Sequence, residues 1–99
     1  MALRTTKSVF GKRIRLTEER WQHILERHPE VVNNKNNVLK TIKNPDIVTK
    51  GWTNELVAIR KISNQDLAVI YSEEEAFVIT AFFTRSRKYF EKRGIIWNK

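Results

Sequence analysis

The chain has 99 residues, no cysteine, and 19 Lys+Arg against 11 Asp+Glu, for a net charge of +8. The length fits one domain with one core, and 40% hydrophobic residues put it in the globular rather than the disordered range. Without cysteine there is no disulfide, thiolate zinc site or cysteine nucleophile, and the longest apolar run, residues 76–83, falls far short of the ~20 residues a membrane helix needs.

Residues 1–7 carry no apolar signal region, which gives the expectation of a cytoplasmic protein with no membrane segment. Residues 9–16 place Phe10, Ile14 and Leu16 among basic side chains and predict a first strand or extended arm. Thr17 offers an N-cap, with Glu18 and Glu19 in the first turn, where the helix dipole favours carboxylates. Trp21, Ile24, Leu25 and His28 then follow at i, i+3, i+4 and i+7, one helical face, and Pro29 ends the helix by pushing His28 out of helical dihedrals. The polar run from Asn33 to Asn37 predicts a loop that caps a second helix, which carries Val38, Leu39 and Ile42 and stops at Asn44-Pro45.

Beyond Pro45 the pattern shortens to β-type runs over 46–50, 55–62, 67–72 and 76–84, with turn-forming residues between the last three. Such tight spacing favours antiparallel hairpins. Residues 85–93 predict a basic loop or short helix, and 94–97 a last strand. Helices first and a meander after make an α+β layout in a single domain, 1–99, with two helices on one sheet face.

The charge is unevenly placed. Residues 4–15 hold Arg4, Lys7, Lys12, Arg13 and Arg15 without an acid, a local +5. Residues 85–93 hold Arg85, Arg87, Lys88, Lys92 and Arg93 against Glu91, a local +4, while 51–84 sum to −3. Clustered cations attract a polyanion through counterion release, so nucleic acid is the expected partner, with Arg13, Arg15, Arg87, Lys88, Lys92 and Arg93 as its contacts. Plain solubility is the alternative use of such charge. If the first and last strands share one sheet edge, both basic stretches flank a single site.

His28 is the first candidate for chemistry, since an imidazole titrates near neutral pH and here sits on the apolar stripe of a helix's last turn. A histidine satisfied by the backbone is the alternative. His23 falls on the opposite side, five residues away, which is the wrong spacing for two metal ligands on one face. Along 77–84, strict alternation puts Phe77, Ile79, Ala81 and Phe83 on one face and Val78, Thr80, Phe82 and Thr84 on the other. Thr80 reads first as a strand former, whereas Thr84 and Arg85 lie at a strand end beside the basic stretch. Arg60 and Tyr71 fall on adjacent hairpin strands, where a guanidinium can clamp a phosphate and a phenol can stack or donate. Trp21, Trp52 and Trp97 could stack bases, though Trp21 and Trp97 read first as core, and three scattered glycines give no phosphate loop.

The runs Arg15-Leu16-Thr17, Trp21-Gln22-His23-Ile24 and Arg27-His28-Pro29-Glu30 resemble the start of the phage-type domains of the barnase–EndoU–colicin–RelE nuclease superfamily. Ile42-Lys43-Asn44-Pro45-Asp46, Val69-Ile70-Tyr71, Ile79-Thr80-Ala81-Phe82-Phe83-Thr84 and Ile95-Ile96-Trp97 look like the rest of that pattern, in order. The resemblance implies N-terminal helices packed on a four-stranded, roughly antiparallel sheet. It implies metal-independent RNA cleavage without a cofactor, often by a toxin with an antitoxin or immunity protein as partner. It carries over onto His28, Tyr71, Thr84 and Thr80; Arg60 and Arg85 are added from their chemistry. On this reading His28 is the acid/base, Arg60 and Arg85 clamp phosphate, and Tyr71 and Thr84 position the substrate. A non-catalytic module that binds nucleic acid or an antitoxin is the competing expectation.

Overall fold

Thr17 closes a strand and opens a helix. In the computed structural model, which describes residues 3–99, its Oγ1 accepts the Arg20 N–H at 3.0 Å. That cap starts α1 (Glu18–Arg27), with Glu18 and Glu19 in the first turn and Trp21 and Ile24 buried. The His28 N–H still donates to the Ile24 carbonyl at 2.8 Å, after which Pro29 begins a 3₁₀ turn, Pro29–Val31. α2 (Lys35–Lys43) begins earlier than Val38, because Asn34 supplies the carbonyl for the Val38 N–H at 2.9 Å. Part of the Asn-rich run is therefore helix.

The strands are β1 (Leu3–Lys7), β2 (Arg13–Thr17), β3 (Ile47–Lys50), β4 (Leu56–Ile62), β5 (Gln65–Ser72), β6 (Phe77–Thr84) and β7 (Ile95–Asn98), with α3 (Arg87–Glu91) before the last. They form one curled sheet in the order β1-β2-β6-β5-β4-β3-β7. The expectation of two helices on a four-stranded antiparallel sheet is thus overturned: among the described residues there are three α-helices and seven strands, and the sheet is mixed. The meander β4–β5–β6 is antiparallel as its short turns require, but β2 joins β6 in parallel, through Arg15↔Phe77. A parallel neighbour needs a long crossover, and the stretch from α1 to β5 supplies it. β1, Leu-Arg-Thr-Thr-Lys, has no apolar alternation to announce it; it exists by pairing with β2 along its whole length.

Sheet order also corrects the placement of charge. The first and last strands lie at opposite edges, so the two basic stretches do not share one. The curl narrows the gap between those edges: Val9, after β1, and Trp97 of β7 line one pocket beside the end of α2.

α1 and α2 cover one face, hereafter the helix face. Ile14, Leu16, Ala58, Leu67, Val69, Tyr71, Val78 and Ala81 pack there against Trp21, Ile24, Val31, Val38 and Ile42. The opposite face buries Ile47, Val57, Ile59, Ala68 and Ile70 beneath Phe90 of α3, which is 4% exposed. The alternation predicted for 77–84 holds only after a bulge, where the register shifts opposite Ile70 and Tyr71. The extra residue flips the phase: Val78 joins Ala81 on the helix face, while Ile79 joins Phe82 on the opposite one. No helix among the described residues is long and apolar enough to cross a membrane.

Candidate nucleic-acid interface

The site begins where α1 stops. His28 takes φ −135° and ψ 69°, outside the helical region as expected before proline, and ends the helix there. β2 pairs with β6 at a single register position, so the outer edge of β6 beyond Phe77 has no strand beside it. The end of α1 and the 3₁₀ turn pack along that edge, and the His28 ring centroid comes 5.2 Å from that of Phe82. Nδ1 lies 3.6 Å from the Glu30 carboxylate, and 32% of the side chain is exposed.

Phe82 starts a row of rings across the face opposite α1 and α2. Its centroid is 6.3 Å from that of Phe90, and Phe90 meets Trp52 edge-on at 6.1 Å and Tyr89 edge-on at 5.2 Å. Trp52 stands on the β3–β4 turn, 46% exposed, and Tyr89 on α3 is 49% exposed. The turn is tight because Gly51 donates to the Glu55 carbonyl at 2.8 Å; a Cβ on Gly51 would come within 2.7 Å of that oxygen. Arg93 lies 5.1 Å over the Trp52 ring and donates from Nε to the Gly51 carbonyl at 3.1 Å.

Cations flank the row on both sides. On β2, Ile14 and Leu16 point to the helix face, so Arg13 and Arg15 point to the other, with Lys7 opposite Arg13 on β1. Arg15 is partly committed, donating from Nε to the Ala76 carbonyl at 3.1 Å and from Nη2 to the Glu75 carbonyl at 3.0 Å. Beyond β6, Arg85 and Lys88 are exposed, as is Lys92 after α3. Thr84 Oγ1 accepts the Ser86 N–H at 3.0 Å, which ends β6 in a turn next to Arg85.

The expected residues divide accordingly. His28, Thr84 and Arg85 belong to the elements around Phe82. Tyr71 does not: its ring is fully buried on the helix face, and its Oη lies near the Glu73 carboxylate without making a hydrogen bond. Arg60 also lies on the helix face, where Nη1 donates to the Asn44 carbonyl at 2.8 Å, so it cannot clamp a phosphate held by His28. Arg87 is half-buried between Asp46 and Asp66, at 3.0 and 2.7 Å, a structural tie rather than a free surface cation. Of the other expected contacts, Arg13, Lys88 and Lys92 are exposed, and Arg93 stacks on Trp52. Thr80 is half-buried on β6, opposite Ile70.

Sequence reasoning missed Glu30 and, apart from Trp52, the ring row. Glu30 has a legible signal, an acid two residues after a pre-proline histidine, where a 3₁₀ turn brings both side chains to one side. Among the described residues, no group of three His, Cys, Asp or Glu side chains could hold a metal ion. No family model, curated protein or solved structure matches the chain, so the nuclease resemblance rests on the motifs quoted above.

Proposed function

We propose that this chain binds single-stranded RNA across the face that carries Phe82, Trp52 and the flanking cations, and cleaves it at His28. The carrying observation is the His28–Glu30–Phe82 arrangement: a part-exposed imidazole with a carboxylate on Nδ1 and a ring beneath it. RNA brings its own nucleophile, so the protein's task is proton transfer and charge stabilisation. His28 Nε2 accepts the 2′-hydroxyl proton as the 2′-oxygen attacks the adjacent phosphorus. The bond to the 5′-oxygen breaks, that oxygen takes a proton from water, His28 returns its own proton to solvent, and a 2′,3′-cyclic phosphate and a 5′-hydroxyl end remain. Glu30 orients the imidazole and balances its charge while it holds the proton. Arg85, at the strand end, supplies positive charge toward the phosphate. Exposed aromatic rings suit unstacked bases, which is why single strands fit better than duplex.

The test is incubation of labelled single-stranded RNA in EDTA. Cyclic phosphate ends are expected, with the rate down about 10²- to 10⁴-fold in His28→Ala and by a smaller factor in Glu30→Gln. A requirement for a divalent metal, or full activity in His28→Ala, overturns the mechanism. The burial of Tyr71 and the placement of Arg60 on the other face leave few groups around His28, and they favour a second reading in which the same face binds RNA without cutting it. Salt-sensitive retention of intact RNA by the wild-type chain selects that reading.

A further inference from the structure

Arg60, on the helix face, lines a pocket that includes no residue of the His28 site. The curl of the sheet brings Val9, Lys43, Pro45, Arg60, Trp97 and Lys99 around a pocket of about 350 Å³. That volume lies in the range of small-ligand sites. Its walls differ in chemistry. Val9, Pro45 and Trp97 contribute apolar and aromatic surface to the lining, and Lys43, Arg60 and Lys99 contribute three cations.

The Arg60 guanidinium is held rather than swinging. Nη1 donates to the Asn44 carbonyl at 2.8 Å, which covers the carbonyl end of α2, and its remaining N–H groups make no hydrogen bond among the described residues. A guanidinium fixed through one nitrogen presents its others as a preorganised fork for an oxyanion. Lys43, in the last turn of α2, and Lys99, after β7, add charge, and no Asp or Glu side chain belongs to the lining. The nearest acid in sequence, Asp46, hydrogen-bonds elsewhere, its Oδ2 accepting the Lys61 N–H at 2.9 Å and the Arg87 Nη2 at 3.0 Å, and it offsets part of the Lys99 charge rather than that of Arg60 or Lys43.

A cationic fork and an indole in the lining of one pocket fit a ligand that carries a phosphate and a flat ring. We infer that this pocket binds a phosphorylated nucleotide unit, the phosphate on Arg60 and Lys43 and the base against Trp97. The unit has two sources, a free mononucleotide or the phosphorylated end of a nucleic-acid strand. The inference does not depend on cleavage at His28.

The test follows the Trp97 indole N–H in heteronuclear NMR spectra, where Trp21, Trp52 and Trp97 give separate signals. Titration with adenosine 5′-monophosphate is expected to move the Trp97 signal and leave Trp21 in place, and adenosine without phosphate to bind at least tenfold more weakly. Arg60→Ala is expected to weaken binding about 10- to 100-fold, the loss of charge-assisted hydrogen bonds. Lys43→Ala, at an exposed position that leaves the α2 end intact, should weaken it several-fold, while His28→Ala leaves it unchanged. A 5′-phosphorylated trinucleotide that binds more tightly than the mononucleotide assigns the site to strand ends; the reverse order assigns it to free nucleotides. No movement of Trp97 at millimolar nucleotide, or equal binding in Arg60→Ala and Lys43→Ala, overturns the proposal, as does binding lost in His28→Ala.

Discussion

Tyr71 is the largest fully buried side chain of the molecule, and its environment decides what it can do. Burial first, and the neighbouring Glu73 carboxylate second, push its phenol well above the ordinary tyrosine value. The folded state therefore favours the neutral phenol. In the unfolded chain it ionises near pH 10, so its contribution to stability is complete below about pH 10 and is lost as pH rises above it. In an alkaline titration followed by phenolate absorbance, with Tyr71→Phe identifying its share of the signal, the Tyr71 phenolate is expected only when the near-ultraviolet circular dichroism collapses. Phenolate absorbance from Tyr71 in a native spectrum would contradict this burial. The same argument removes Tyr71 from RNA chemistry, so Tyr71→Phe should cleave at the parent rate. His28 was readable from the sequence because a helical period and a following proline fix its place. For Tyr71 and Arg60, period two shows only that they share a face, not which face the helices cover.

α3 is held by one residue of each chemical kind. Phe90 buries its ring on the opposite-face core, and Arg87 joins Asp46, just before β3, to Asp66 of β5. Burial works to raise the Asp46 carboxyl, but the Lys61 N–H and the Arg87 guanidinium outweigh it and hold the group below the usual carboxylate range. A depressed carboxylate stabilises the fold above its unfolded value, about pH 4, and that stability fades as pH falls through the lower folded value. Arg87→Ala should thus cost about 2 kcal/mol at pH 7, the scale of charged hydrogen bonds, with a smaller deficit near pH 2. Urea unfolding at the two pH values measures it; a deficit independent of pH would show that packing, not charge, carries the role of Arg87. At this scale the sequence announced α1, α2 and the β4–β6 meander, whose periods and turns are local. It did not announce β1, whose pairing with β2 is the reason it forms, or the bulge in β6, which strict alternation cannot represent. The parallel β2–β6 contact joins Arg15 to Phe77 across most of the chain, and no short-range pattern encodes it.

Over the whole molecule, the net +8 works through the arrangement of strands rather than through sequence clustering. The N-terminal cations reach the proposed RNA face because Ile14 and Leu16 turn inward and leave Lys7, Arg13 and Arg15 outward. The C-terminal cations reach it because Phe90 docks α3 on that same face, carrying Arg85, Lys88 and Lys92 along. One stretch therefore approaches from the β1–β2 edge and the other from above the central strands, with the ring row between them. A strand of RNA lying along that row meets both groups, and each phosphate neutralised contributes about 0.7 to the salt dependence of single-strand binding. Removing Lys7 and Arg13 together, both exposed, should lower the slope of log affinity against log salt by about 1.4, since each released contact removes its share. Lys40→Ala, exposed on α2 at the far side, is the control and should leave the slope unchanged. Filter binding or fluorescence anisotropy over a salt series decides the matter. Equal slopes for the double variant and the parent would place the RNA path elsewhere, and with it the role proposed for the N-terminal cations.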